Sequence, residues 1–283
     1  RDIVNMAHLG ARAFEEIGGE VVQTTAFVLS KRSIADYEAV FVRLVDFNSQ
    51  AAKEEAFLSG DNLYTAKKEN FEKMPSCPVA YWVSKGIISA FNECKLIGEL
   101  AISRNGMKTG NNDRFVRLWW EIAVIKFNSD AKDATAAIGS KWFPYNKGGE
   151  FRKWYGNNDY IVNWENNGYE IFSLAKSDGR NVQDYPAEMK FSKSLTWSLI
   201  NTGQPAFRFK EKNLSDIAGM SVYTDESKLY YFLGFCNTPI AWNILKLLAP
   251  TINYQAGDIG RLPVRFDTDN KKHIEEQVKN NIT

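Results

Sequence analysis

The chain has 283 residues, 44% of them hydrophobic, 13% aromatic and 24% charged, with a net charge of +1. That supplies the core of one large domain or two ordinary ones, and it excludes a strongly basic nucleic-acid glue. No apolar run approaches the ~20 residues that span a bilayer. The opening "RDIVNMAHLG" has neither a charged-then-apolar leader nor an initiator methionine, and reads as a cut from something longer.

Residues 2–17, "DIVNMAHLGARAFEEI", read as a helix stopped by Gly18-Gly19. "EVVQTTAFVLS" at 20–30 and "EAVFVRLVD" at 38–46 read as strands, joined closely enough to predict an antiparallel hairpin at the edge of a larger sheet. Residues 50–73 are helix-rich, "MPSCP" breaks the chain, and "AYWVSKGIISAFNE" at 80–93 has the spacing of an amphipathic helix. Strand patterns follow at 114–127, at 159–168, and in "TWSLINTG", "PAFRFKE" and "GMSVYT". Trp119, Trp120 and Trp164 lie inside these patterns and read as core. Residues 227–250 read as one or two helices, and "DTDNKKHIEEQVKNNIT" as a polar tail, helical or frayed. The order is mixed, so the fold class is α+β.

Several chemistries are missing. There is no Walker A, HExxH, GxSxG or GxGxxG element, and no two carboxylates can be paired as acid and base. Cys77, Cys94 and Cys236 are too far apart for a zinc site or disulfide framework, and read as reduced, mostly buried cytoplasmic thiols. His8 and His273 make no metal pattern; His8 reads as packed, His273 as a solvated tail residue. No catalytic, cofactor or metal residue is assigned.

Charge is unevenly placed. Residues 1–60 carry 6 Lys and Arg against 9 Asp and Glu, while residues 100–212 carry 17 against 12. Two stretches concentrate the basic residues. "RNGMKTGNNDRFVR" at 104–117 combines Arg104, Lys108 and Arg114 with Gly106, Thr109, Gly110, Asn111 and Asn112. Glycines let another backbone approach, and exposed amides with hydroxyl and basic side chains suit phosphate. The same residues also suit a solvated turn. "KWFPYNKGGEFRKWYGNNDY" at 141–160 alternates Trp142, Phe143, Tyr145, Trp154 and Tyr155 with Lys141, Lys147, Arg152 and Lys153 around a flexible Gly148-Gly149 tip. Such interleaving suits a projecting loop in a nucleic-acid groove, a sugar surface, or a core beneath a basic rim.

"HLGARAFEEIGGEVVQTTAFVLSK", "CPVAYWVSKGI", "GMKTGNNDRFVRLWWEI", "KWFPYNKGGEFRKWYGNNDYIVNWENNG" and "TINYQAGDIGRLPV" together resemble successive landmarks of large adenine-specific DNA methyltransferases. The type is the BREX phage-defence methyltransferase PglX, with its type IIG restriction–modification relatives. The resemblance covers about residues 2–266. It implies the last helix and β-hairpin of a Rossmann-like methyltransferase domain at 1–48, a helical connector at 49–98, a DNA target recognition domain at 99–266 and a polar tail at 267–283. It further implies that the S-adenosylmethionine site and the catalytic motif lie upstream, so the fragment would grip and read double-stranded DNA without catalysing. Arg104, Lys108, Thr109, Gly110, Asn112, Arg114, Lys147, Arg152 and Lys153 would carry that contact. The other readings are a scaffold docking further defence proteins and a carbohydrate-binding module; no membrane partner is implied.

Overall fold

In the computed structural model, which describes residues 2–17, 22–133, 135, 138–180 and 182–282, the chain separates into two units, Arg1–Glu93 and Cys94–Thr283. The expected stop at Gly18-Gly19 and the start of the strand expected from residue 20 lie outside the described residues.

In the first unit, β1 (Asp2–Gly10) pairs antiparallel with β2 (Thr24–Ser30) and parallel with β3 (Glu38–Arg43). Helix α1 (Gln50–Ser59) follows, then β4 (Leu63–Lys67), α2 (Lys68–Glu72) and α3 (Lys85–Glu93). The sheet order is β2-β1-β3-β4. Two expectations are overturned here. Residues 2–10 form a strand, not a helix, and β2 and β3 are not a hairpin, because β1 lies between them. Successive residues of β1 are half-buried, so both of its faces are partly covered and "DIVNMAHLG" shows no period of two. The helix-rich stretch also contains a strand, β4, which pairs with β3.

Ser49 caps α1, accepting from Ala52 N at 3.2 Å, and Gly60 closes it in a left-handed conformation. Lys53 is buried beneath the sheet end, where its Nζ donates to Leu9 O at 2.7 Å and Leu44 O at 2.6 Å. Phe41 stacks on Tyr81 with ring centres 4.5 Å apart. His8 is packed as expected, but on a strand: its Nδ1 lies 3.2 Å from Tyr81 Oη, and burial lowers its pKa.

The second unit starts with β5 (Lys95–Leu96), α4 (Ile97–Leu100), β6 (Ile102–Arg104), α5 (Asn112–Phe115) and β7 (Val116–Leu118). It continues through β8 (Trp142–Asn146), β9 (Tyr160–Asn163), α6 (Glu165–Asp178), β10 (Ser194–Ser198), β11 (Arg208–Lys210), β12 (Leu214–Ser215) and β13 (Gly219–Tyr223). Helices α7 (Glu226–Cys236), α8 (Pro239–Leu248) and α9 (Ala256–Gly260), strand β14 (Pro263–Val264) and helix α10 (Lys271–Ile282) complete it. Its strands form two four-stranded sheets, β11-β10-β13-β6 and β12-β8-β9-β7, and the pair β14-β5. The mixture of small sheets and helices is the α+β class expected.

Trp197 is fully buried at the centre of the first of these sheets, its indole N–H donating to Tyr254 O at 2.8 Å. Thr238 caps α8 ahead of Pro239, which splits residues 227–250 into two helices. The tail is helical and docked: Val278 is buried, and a Cβ on Gly234 of α7 would lie 3.0 Å from Val278 Cγ2. Trp164 is core, but Trp119 and Trp120 are not; they are 50% and 57% exposed. Strand β7 ends at Leu118 and the chain turns into a 3-10 turn, so both indoles leave the sheet and meet edge to face. Of the three free thiols only Cys236 is buried, and burial raises its pKa; Cys77 is exposed and Cys94 half-buried.

Candidate nucleic-acid interface

The glycine-rich loop leaves β6 and runs flush against the chain at 215–216. Met107 N donates to Ser215 O at 2.7 Å and Gly106 N to Asp216 O at 3.3 Å. A Cβ on Gly106 would lie 1.8 Å from Ser215 O, so this glycine permits close backbone approach. Gly110 has the other use: its φ of +72° turns the chain towards α5. Asn111 then caps α5 by accepting from Arg114 N at 3.1 Å. Thr109 is buried and donates to Asn112 Oδ1 at 2.7 Å, which leaves Asn112 at the surface with its carbonyl engaged.

The charges around this loop differ in their commitments. Arg114 forks onto Glu170 Oε1, with Nη2 at 2.7 Å and Nε at 3.1 Å. That hydrogen bond, with help from Asn163, lowers the Glu170 pKa. Arg104 and Lys108 are exposed and form no ion pair among the described residues.

The second stretch is not a projecting tip. Strands β8 and β9 pair antiparallel, but residues 147–159 between them fold back onto the unit. Gly148 is buried with φ +77°, and a Cβ there would meet Ala218 O at 2.8 Å. Ser198 Oγ donates to Gly149 O at 2.7 Å. Trp154 bonds the backbone of β11 and the residue before it: its N donates to Phe207 O at 2.9 Å, and its O accepts from Phe209 N at 2.8 Å. The glycine pair serves close approach, which composition cannot tell from flexibility. Lys147 is turned inward onto Asp216, Nζ to Oδ2 at 3.2 Å, and Lys153 Nζ donates to Asn237 O at 3.1 Å. Arg152 is exposed, with no ion pair among the described residues. Phe143 and Tyr145 are core, Trp142 and Trp154 half-buried, and Tyr155 exposed.

Both stretches therefore rest on one support. Asp216 accepts from Gly106 N through its carbonyl, donates to Asn146 O at 2.9 Å through its own N–H, and holds Lys147 through its side chain. Of the six cations assigned to DNA contact from sequence, Arg114, Lys147 and Lys153 have protein partners, while Arg104, Lys108 and Arg152 face solvent.

Sequence reasoning missed two cations in "FRFK". Arg208 and Lys210 alternate with Phe207 and Phe209, and all four are buried. Arg208 is fully buried without a carboxylate; its Nη1 donates to Arg152 O at 3.3 Å and its Nη2 to Ser198 Oγ at 3.2 Å. Burial lowers its pKa to about 10. Lys210 donates to Gly156 O at 2.9 Å, to Asn157 O at 2.8 Å and to Asn158 Oδ1. Burial, with Arg208 nearby, brings its pKa down to about 7. The two cations tie the 152–158 backbone to β11. Strict alternation of Phe with Arg and Lys was the available signal.

Among the described residues no group of three or more His, Cys, Asp or Glu side chains can hold a metal ion, and no helix is long and apolar enough to cross a membrane.

No family model matches the chain. It is 41% identical over 273 residues, 93% of its length, to the adenine-specific methyltransferase PglX of Lacticaseibacillus casei (strain Zhang). It is 36% identical over its whole length to the adenine-specific methyltransferase BrxX of Escherichia coli O9:H4 (strain HS). The chain spans 23% and 22% of the length of these curated relatives. The matches show that the resemblance to the PglX-type adenine-specific methyltransferases holds along almost the entire chain, as a part of such a protein.

Proposed function

We propose that this chain is the part of a phage-defence adenine-N6 DNA methyltransferase that grips double-stranded DNA and reads its target sequence. The observation that carries this reading is the convergence of the two basic stretches on Asp216, with Arg104, Lys108 and Arg152 left without ion-pair partners at the surface. Unpaired cations on a folded support can neutralise phosphates, whereas cations held by carboxylates are already neutralised. Residues 99–266 are then the recognition domain.

The first unit fits the margin of a Rossmann-like methyltransferase sheet. Its edge strand β2 leaves Phe27 58%, Val28 52% and Leu29 49% exposed, a surface that a further part of the parent protein would cover. In this reading S-adenosylmethionine and the catalytic motif belong to that further part, and the parent is cytoplasmic. The methyl group goes to adenine N6 with the base flipped from the stack. A second reading, a scaffold that docks other defence proteins, is favoured by the exposed Trp119, Trp120, Val124 and Ile125, the last 93% exposed.

Duplex binding by the chain at several salt concentrations tests the proposal. Three free cations on phosphates give a slope of about −2.7 in log K against log salt. No measurable duplex binding at low salt would favour the scaffold.

A further inference from the structure

A cleft of about 500 Å³ opens in the second unit between Trp119, Tyr155 and Tyr160, a volume typical of small-molecule sites. The three rings come from separate segments. Trp119 follows β7, and its N donates to Asp159 O at 3.0 Å, which sets it beside Tyr160 at the start of β9. Tyr155 lies in the folded-back connection. The rings are 50%, 57% and 40% exposed. Neither the indole N–H nor either hydroxyl has a hydrogen-bond partner among the described residues. An aromatic side chain left open in a concave site forgoes the burial that a core position would supply.

The wall carrying Tyr155 is held in a costly conformation. Trp154 has φ 73° and Asn157 φ 56°, both in the left-handed region, on either side of Gly156 at φ 120°. Such strain persists only where surrounding contacts over-determine it, and it clusters at ligand sites. Here the contacts come from Lys210, whose three hydrogens meet Gly156 O, Asn157 O and Asn158 Oδ1. Because Lys210 occupies the Asn158 carbonyl oxygen, the amide N–H groups are the part of that side chain left to offer a ligand. Lys212 also lines the cleft. Its only carboxylate partner among the described residues, Asp130, is 75% exposed, and an exposed pair exchanges for another anion at little cost.

We propose that this cleft binds one unstacked nucleotide, either free or within a DNA strand. The base lies against Trp119, Tyr155 and Tyr160, the Asn158 amide meets the base edge, and Lys212 meets the phosphate. The site is additional to the phosphate grip proposed above and does not depend on it, since a free nucleotide satisfies the same chemistry.

The test uses the full chain with four probes: AMP, adenosine, a fully paired labelled duplex, and the same duplex carrying a single bulged adenosine. Stacking of one base predicts that the bulge binds about 5-fold or more tighter than the paired duplex, or that AMP binds saturably if the source is free nucleotide. Trp119→Ala removes that binding, whereas Tyr169→Ala, at an exposed aromatic outside the cleft, keeps it. Lys212→Gln weakens AMP more than adenosine, and it remains informative if the tryptophan variant does not fold. Equal affinity for bulged and paired duplex together with no AMP binding overturns the proposal. So does a bulge preference or AMP affinity that survives both Trp119→Ala and Lys212→Gln.

Discussion

The glycine-rich loop at 104–117 and the connection at 147–158 both set glycines and asparagines among basic side chains, and the fold uses them differently. In the loop, Arg104 and Lys108 stay free, Arg114 is engaged by the exposed Glu170, and Arg117 is turned onto the backbone carbonyls of Asp113 and Val116. In the connection, both lysines are drawn into the structure, one onto a buried carboxylate and one onto a backbone carbonyl, and Arg152 alone remains outside. A basic residue is available to a polyanion only if the protein has not already satisfied it. Counting partners therefore separates two stretches that counting charges cannot.

The largest expected effect distinguishes the glycines. Gly106→Ala places a methyl group 1.8 Å from Ser215 O, a backbone atom that cannot swing aside. The second unit should lose its cooperative denaturant transition, a cost beyond ~4 kcal/mol. Gly110→Ala, where the cost is the left-handed φ alone, should lower stability by about 1–2 kcal/mol and keep the transition.

Next comes the anchor of the connection. The folded-state pKa of Lys210 is about 7, below the ordinary 10.5, so the folded protein binds fewer protons than the unfolded chain between those values. The charge penalty is fully present below pH 7 and is relieved as pH rises towards 10.5. Stability should therefore climb by a few kcal/mol over that window relative to Lys210→Met, as read by denaturant melts at matched pH. A parallel pH course for the two proteins would remove Lys210 from this role.

Lys147→Ala should cost about 3 kcal/mol, because it leaves Asp216, itself 5% exposed, without its cation. The smallest effect belongs to Arg114→Ala. Its pair with Glu170 is exposed on both sides, and the loss should stay below ~1 kcal/mol and shrink further in high salt.

Local chemistry made part of this structure legible in advance. The helices within residues 227–250, the strands within "TWSLINTG" and "GMSVYT", and the later part of the helix expected at 80–93, which forms at Lys85–Glu93, each follow from side chains acting on their own backbone or from one period of burial. What was not legible depended on distant neighbours. β1 looks helical until β2 and β3 are seen to flank it. Helix α6 was hidden by "ENNG", where Asn166, Asn167 and Gly168 are all left-handed and Gly168 lies beneath the Trp164 ring. Trp119 and Trp120 left the core because β7 ends one residue earlier. In the candidate interface, sequence located both basic stretches, yet their division into free and committed cations rests on Glu170, Asp216 and Asn237, each more than fifty residues from its partner.

The central claim is that free cations grip DNA and committed ones do not, and the salt dependence of duplex binding by single variants tests it most directly. Lys108→Ala and Arg152→Ala should each reduce the slope of log K against log salt by about one unit, evenly across DNA sequences, while Lys147→Ala leaves the slope of the folded protein unchanged. Unchanged slopes for Lys108→Ala and Arg152→Ala, or an equal drop for Lys147→Ala, would contradict the account.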